Sequence, residues 1–160
     1  MSILDSLIQL FRAGTEKPSP SDIVPEDNIR YSITAGMLSI SLTGINIPFT
    51  MPPRVWIPFI PDTNSMDGAF DYGNNNILIQ GFDSENQKIM LNFIKVGDIC
   101  VYRIPLGTNP YGFYAIHRIV KMGKDSKGRW FRFKGDNVGW LDPYISRDVN
   151  VEWLAIGTIF

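Results

Sequence analysis

The sequence predicts a mainly β fold of antiparallel sheets, preceded by one short amphipathic helix. Three observations lead there. The 14 glycines and 11 prolines among 160 residues are spread along the chain, which implies many turns and disfavours a helix bundle. Leu38, Ile40 and Leu42 alternate with Ser39, Ser41 and Thr43, the period-2 pattern of a half-buried strand. From residue 77 onward, short apolar segments recur between clusters of turn residues.

Residues 2–12 form the predicted helix. Ser2 can cap its start, Gly14 can stop it, and Ile3, Leu4, Leu7, Ile8 and Phe11 fall on one face. That face is expected to pack on the domain or on a partner chain. It carries too few Lys and Arg to favour a membrane surface. Residues 15–28, TEKPSPSDIVPEDN, are polar with three prolines and read as a linker, so residues 1–28 are set apart from a β-rich domain over 29–160.

In that domain IRYSIT and MLSISLT flank Ala35-Gly36 and predict a hairpin. Pro48, Pro52 and Pro53 interrupt next. Residues 55–60 contain Pro58, which cannot donate to a ladder and so marks an edge strand or a bulge. Further strands are predicted at 77–80, 89–93, 98–104, 113–120, 129–133 and 149–159, with no second helix.

Composition narrows the function classes. Hydrophobic residues make up 44% of the chain, enough for a folded core, and 15 Lys and Arg nearly balance 16 Asp and Glu. No Lys/Arg run stands out to neutralise phosphates, so nucleic acid is not an expected partner. The single cysteine, Cys100, excludes an intramolecular disulfide, and its apolar surroundings predict a buried small hydrophobe. One histidine and no cysteine cluster leave no metal site or cofactor to expect. No stretch approaches the ~20 apolar residues of a membrane-spanning helix. No cationic segment leads into a cleavable apolar one, so a cytoplasmic or virion-associated location is expected.

Four segments carry residues suited to chemistry. They are Asn64-Ser65-Met66-Asp67-Gly68, Val96-Gly97-Asp98, Ile116-His117-Arg118-Ile119 and Lys134-Gly135-Asp136-Asn137, with Asp142 close behind. A serine hydroxyl needs a neighbouring base to become a nucleophile, and that base needs an orienting group. Composition alone shows no such site, since a lone histidine in a β domain is more often packed or on the surface.

In order and context the four segments resemble the conserved boxes of the signal peptidase I family, most closely its archaeal and endoplasmic-reticulum branch. There a Ser-Met-Glu motif carries the nucleophile, a Gly-Asp/Glu strand follows, His-Arg-Val supplies the base, and Lys-Gly-Asp-Asn precedes a second aspartate. The resemblance covers about residues 54–160. It implies a signal-peptidase-like β fold and a serine endopeptidase acting on a protein or peptide substrate. Ser65 would be the nucleophile and His117 the general base, with either Asp136 or Asp142 orienting the imidazole. The bacterial branch and the self-cleaving repressor relatives use lysine where His117 stands.

The resemblance also implies that the substrate adds as an extended strand beside the 56–60 segment and the segment after Ile99, with Trp56, Ile57, Phe59 and Met66 as substrate-binding residues. Met66 is expected to pack beneath Ser65. Asp98 and Tyr102 fit core packing and are assigned structure. The pattern departs where Gly68 replaces the usual proline, which is expected to loosen the nucleophile turn. It departs again in the absence of a membrane anchor. A second function therefore stands beside the first: a non-catalytic structural or assembly protein, of a phage or virus particle for example, that retains the peptidase fold.

Overall fold

The alternating and β-branched segments form nine strands among the described residues. The computed structural model describes residues 29–34, 37–42, 47–59, 62–70, 73–105 and 113–159. The helix expected over 2–12, with its docking face, and the linker over 15–28 lie outside the described residues.

Strands β1 (Ile29–Thr34) and β2 (Met37–Leu42) pair antiparallel from Ile29↔Leu42 to Thr34↔Met37, the hairpin expected around Ala35-Gly36. Strands β3 (Arg54–Trp56), β4 (Asn75–Gln80), β5 (Ile99–Arg103), β6 (Tyr114–Asp125), β7 (Gly128–Lys134), β8 (Ser146–Arg147) and β9 (Val151–Ile159) make one seven-stranded sheet. Its order is β3-β4-β9-β5-β6-β7-β8, and the neighbouring strands run antiparallel. The proline-flanked β3 lies at one edge, where a missing N–H costs no ladder bond.

One expected strand is a helix. Residues 89–93 are the second half of α1 (Ser84–Phe93). Asp83 caps its start, its carboxylate accepting from the Asn86 N–H at 2.9 Å, and Glu85 sits favourably in the first turn. Met90, Leu91 and, just past the end, Ile94 are buried at helical spacing. The helix was hard to read because its buried face is partly polar. Asn86 is fully buried and its side-chain oxygen accepts from the Thr50 and Met51 N–H groups. Gln87 accepts from the Gly81 N–H and donates to the Val151 and Glu152 carbonyls.

The helix covers a core in which Ile79, Cys100, Tyr102, Ile119, Phe131 and Phe133 are essentially inaccessible. Burying each large apolar side chain contributes about 1.5–3 kcal/mol before entropy is counted. Cys100 is such a core hydrophobe, and burial pushes its thiol far above the ordinary cysteine range, away from thiolate chemistry. A smaller cluster, Met66 and Phe70 with Ala69, Ile99 and Ile116, forms a second packing centre. No helix among the described residues is long and apolar enough to cross a membrane.

Candidate active site

His117 and Arg118 are neighbours on β6, and neighbouring strand residues face opposite ways. His117 pairs in register with Cys100, which puts it on the face that also carries Tyr102. There His117 Nδ1 lies 2.7 Å from Asp142 Oδ2. A carboxylate can only accept, so Nδ1 carries the proton and Nε2 of the neutral ring keeps its lone pair. The ring and the carboxylate are 14% and 12% exposed, dry enough for the interaction to be poorly screened.

Tyr102 completes this group. Its hydroxyl donates to the same Asp142 oxygen at 2.6 Å, and its ring stacks on Phe133 with centroids 4.1 Å apart. Burial opposes the charge on Asp142, but the hydrogen bonds from His117 and Tyr102 outweigh it and hold the carboxyl below its ordinary range. Burial, and then the Asp142 carboxylate, push the Tyr102 phenol well up, so it stays a neutral donor. Tyr102 was expected to be structural only. Its sequence signal was no more than its position two residues from Cys100 on the strand that faces His117.

Asp136 lies with Arg118 on the other side. Arg118 grips it with both arms of the guanidinium, Nε to Oδ1 at 2.8 Å and a terminal nitrogen to Oδ2 at 2.6 Å. It also donates to the Gly97 carbonyl at 2.7 Å. Of the two aspartates left open by the sequence, Asp142 is the one bonded to the imidazole. Asp98 has a structural place: its carboxylate accepts from the Lys95 N–H and its carbonyl from the Ile119 N–H.

Ser65 begins a tight turn. Asn64 before it has φ 54°, the left-handed region that asparagine tolerates better than most side chains. The Ala69 N–H and Phe70 N–H both donate to the Met66 carbonyl, at 2.9 and 3.2 Å. Gly68 has φ 93°, which proline, fixed near −65°, cannot reach. Gly68 thus holds a backbone angle closed to proline, in a turn that backbone hydrogen bonds close. Met66 is 3% exposed, and its sulfur accepts from the Asp136 N–H at 3.4 Å. It faces the interior beneath the turn rather than an open surface.

The 134–138 loop clamps this turn from the other side. The Asn137 N–H donates to the Ser65 carbonyl, and its side chain donates to the Asn64 carbonyl, both at 3.0 Å. Gly135 sits where the serine turn and the imidazole meet. A Cβ there would collide with the Ser65 carbonyl oxygen and stand 3.2 Å from His117 Nε2. The Ser65 hydroxyl is hydrogen-bonded to Thr63 Oγ1 at 3.2 Å, and among the described residues no hydrogen bond joins it to His117.

Trp56, Ile57 and Phe59 are 47%, 37% and 57% exposed, and they lie on or just beyond the edge strand β3. Trp56 also leans on Trp153, with centroids 5.5 Å apart. Among the described residues no three His, Cys, Asp or Glu side chains gather where they could hold a metal ion. What the site can do chemically is accept a proton at His117 Nε2 and stabilise the resulting imidazolium with Asp142. Comparison with models of protein families, with curated proteins and with solved structures finds no match to this chain.

Proposed function

We propose that this chain is a serine endopeptidase of the signal peptidase type, with the fold of that family. The observation that carries the reading is the Tyr102–Asp142–His117 chain of hydrogen bonds, whose far imidazole nitrogen lies beside Gly135 and the clamped Ser65 turn.

In this reading a substrate peptide lies extended along the exposed edge of the sheet, near Trp56, Ile57 and Phe59. Its carbonyl approaches Ser65, whose Oγ attacks while His117 Nε2 takes the hydroxyl proton. Asp142 stabilises the imidazolium, and Tyr102 keeps Asp142 ionised and in place. The negative oxygen that forms on the carbonyl is met by the Ser65 N–H and the Thr63 hydroxyl. His117 then returns the proton to the leaving amine, and water releases the acyl group by the same steps in reverse roles. Hydrogen bonds to the nucleophile often tighten only when substrate arrives, so the Thr63 bond of the resting Ser65 hydroxyl is compatible with this sequence.

That same bond supports the second reading, a non-catalytic structural or assembly protein that retains the fold. One experiment separates them. The protein is treated with a fluorophosphonate probe and, separately, with a diverse peptide mixture read by mass spectrometry. Labelling and cleavage in the natural chain, both lost in Ser65→Ala and His117→Ala, support the peptidase. Cleavage that survives in either variant, or a natural chain that neither labels nor cleaves, overturns it.

A further inference from the structure

Residues 118–134 hold seven of the 15 Lys and Arg of the chain but only one of its 16 acidic residues. They are too widely spaced to look like a basic run, and the hairpin register brings them together. Arg118 stands opposite Lys134, Lys121 opposite Arg132, and Lys124 opposite Arg129. Like charges directly across an antiparallel pair repel. Two of these pairs are relieved, since Arg118 is bound to Asp136 and Arg129 to Asp148. The middle pair is relieved less: among the described residues neither Lys121 nor Arg132 forms a close ion pair, and Arg132 has only the longer-range attraction of the Asp142 carboxylate. Arg132 donates only to the Asp142 carbonyl, at 3.1 Å, and its Nε is buried with no acceptor.

This pair is placed by an irregularity of register. The register shifts between Ile119 and Lys121, so Val120 is an extra residue. Without that bulge Lys121 would point with Ile119 into the core. With it, Lys121 and Arg132 share the outer face with Trp130. They flank a shallow groove of about 270 Å³ whose apolar walls are Trp130, Leu141 and Ile145. The one acid at the groove, Asp125, is already held by both arms of Arg147, at 2.8 and 2.9 Å. Leu141 and Ile145 are 43% and 50% exposed.

We propose that this groove is a docking site for a peptide segment in which acidic and apolar residues are mixed, outside the Ser65 site and independent of its activity. A carboxylate would sit between Lys121 and Arg132 and relieve their repulsion. Apolar side chains would cover Leu141, Ile145 and the Trp130 ring. A polyanion without apolar groups matches the rim but not the walls, which is why a peptide is favoured over nucleic acid.

The test uses the full chain carrying Ser65→Ala, so that cleavage cannot confuse binding. Fluorescence anisotropy follows a short labelled peptide alternating glutamate with leucine. Binding should weaken about tenfold when glutamine replaces glutamate, and about tenfold in Lys121→Glu, with Lys121→Gln in between. Ile145→Ser should weaken it several-fold, and added salt should weaken it further. Both positions are exposed, and a melting curve confirms that each variant is folded. Equal binding by the glutamine peptide, an unaffected Lys121→Glu variant, or tighter binding of a single-stranded oligonucleotide than of the peptide would each overturn the proposal. Failure here leaves the peptidase reading untouched, and loss of that reading leaves this one standing.

Discussion

Replacing Tyr102 with Phe removes one hydroxyl and almost nothing else. The ring would keep its stack on Phe133, while Asp142 would lose a 2.6 Å donor in a site where it is 8% exposed. A hydrogen bond to a buried charge contributes about 1.5–3 kcal/mol, and water cannot replace it here. The loss should depend on pH in a defined sense. The Asp142 carboxyl is held below its ordinary value, so its contribution to stability is present above about pH 4 and is lost as pH falls through the folded value. Tyr102→Phe moves the folded value back toward the ordinary one.

Urea unfolding, followed by tryptophan fluorescence, should therefore show a gap of about 1.5–3 kcal/mol between the two proteins from about pH 5 to 8. The gap should narrow as pH falls below about 4 and through the folded value, where Asp142 becomes protonated in both. In an Asp142→Asn background the same substitution should cost at least about 1 kcal/mol less. A gap that is unchanged in acid, or zero coupling to Asp142→Asn, would refute the reasoning.

Three further predictions follow from the same geometry. Burial and the adjacent carboxylate raise the Tyr102 phenol, so this contribution is complete below about pH 10 and drains away as pH rises toward the folded value. Tyr102→Phe should flatten the alkaline limb of the stability curve, read by the same unfolding assay. Gly135→Ala forces a Cβ onto the Ser65 carbonyl and should cost about 1–3 kcal/mol. It should also abolish fluorophosphonate labelling in protein that is still folded, and full labelling would count against the clamp. Gly68→Pro demands a backbone angle that proline cannot adopt and should cost about 1–3 kcal/mol, more than Gly68→Ala, in thermal melts.

Much of the β architecture was legible because burial on one face of a strand leaves a period-2 trace. The recurring apolar segments after residue 77 mark the interior strands, and Leu38, Ile40 and Leu42 show the alternation in the sequence. The helix at 84–93 was not legible in this way, since Asn86 and Gln87 spend its buried face on hydrogen bonds to other elements. Its cap, Asp83 ahead of Glu85, was the usable signal.

The site divides along the same line. The residue types for serine, base and acid chemistry stood in the sequence in order, as did the single histidine. Which aspartate meets it did not, because Asp136 and Asp142 lie only a few residues apart and both follow β7. That was decided by strand geometry: His117 and Arg118 point to opposite faces, so Arg118 engages Asp136 and His117 engages Asp142. The partnership of Tyr102 with Asp142, 40 residues away, and the pairing of Lys121 with Arg132 across a bulge are likewise products of register. Local pattern records which face of the chain is buried; only the pairing of strands records what each buried or charged group meets there.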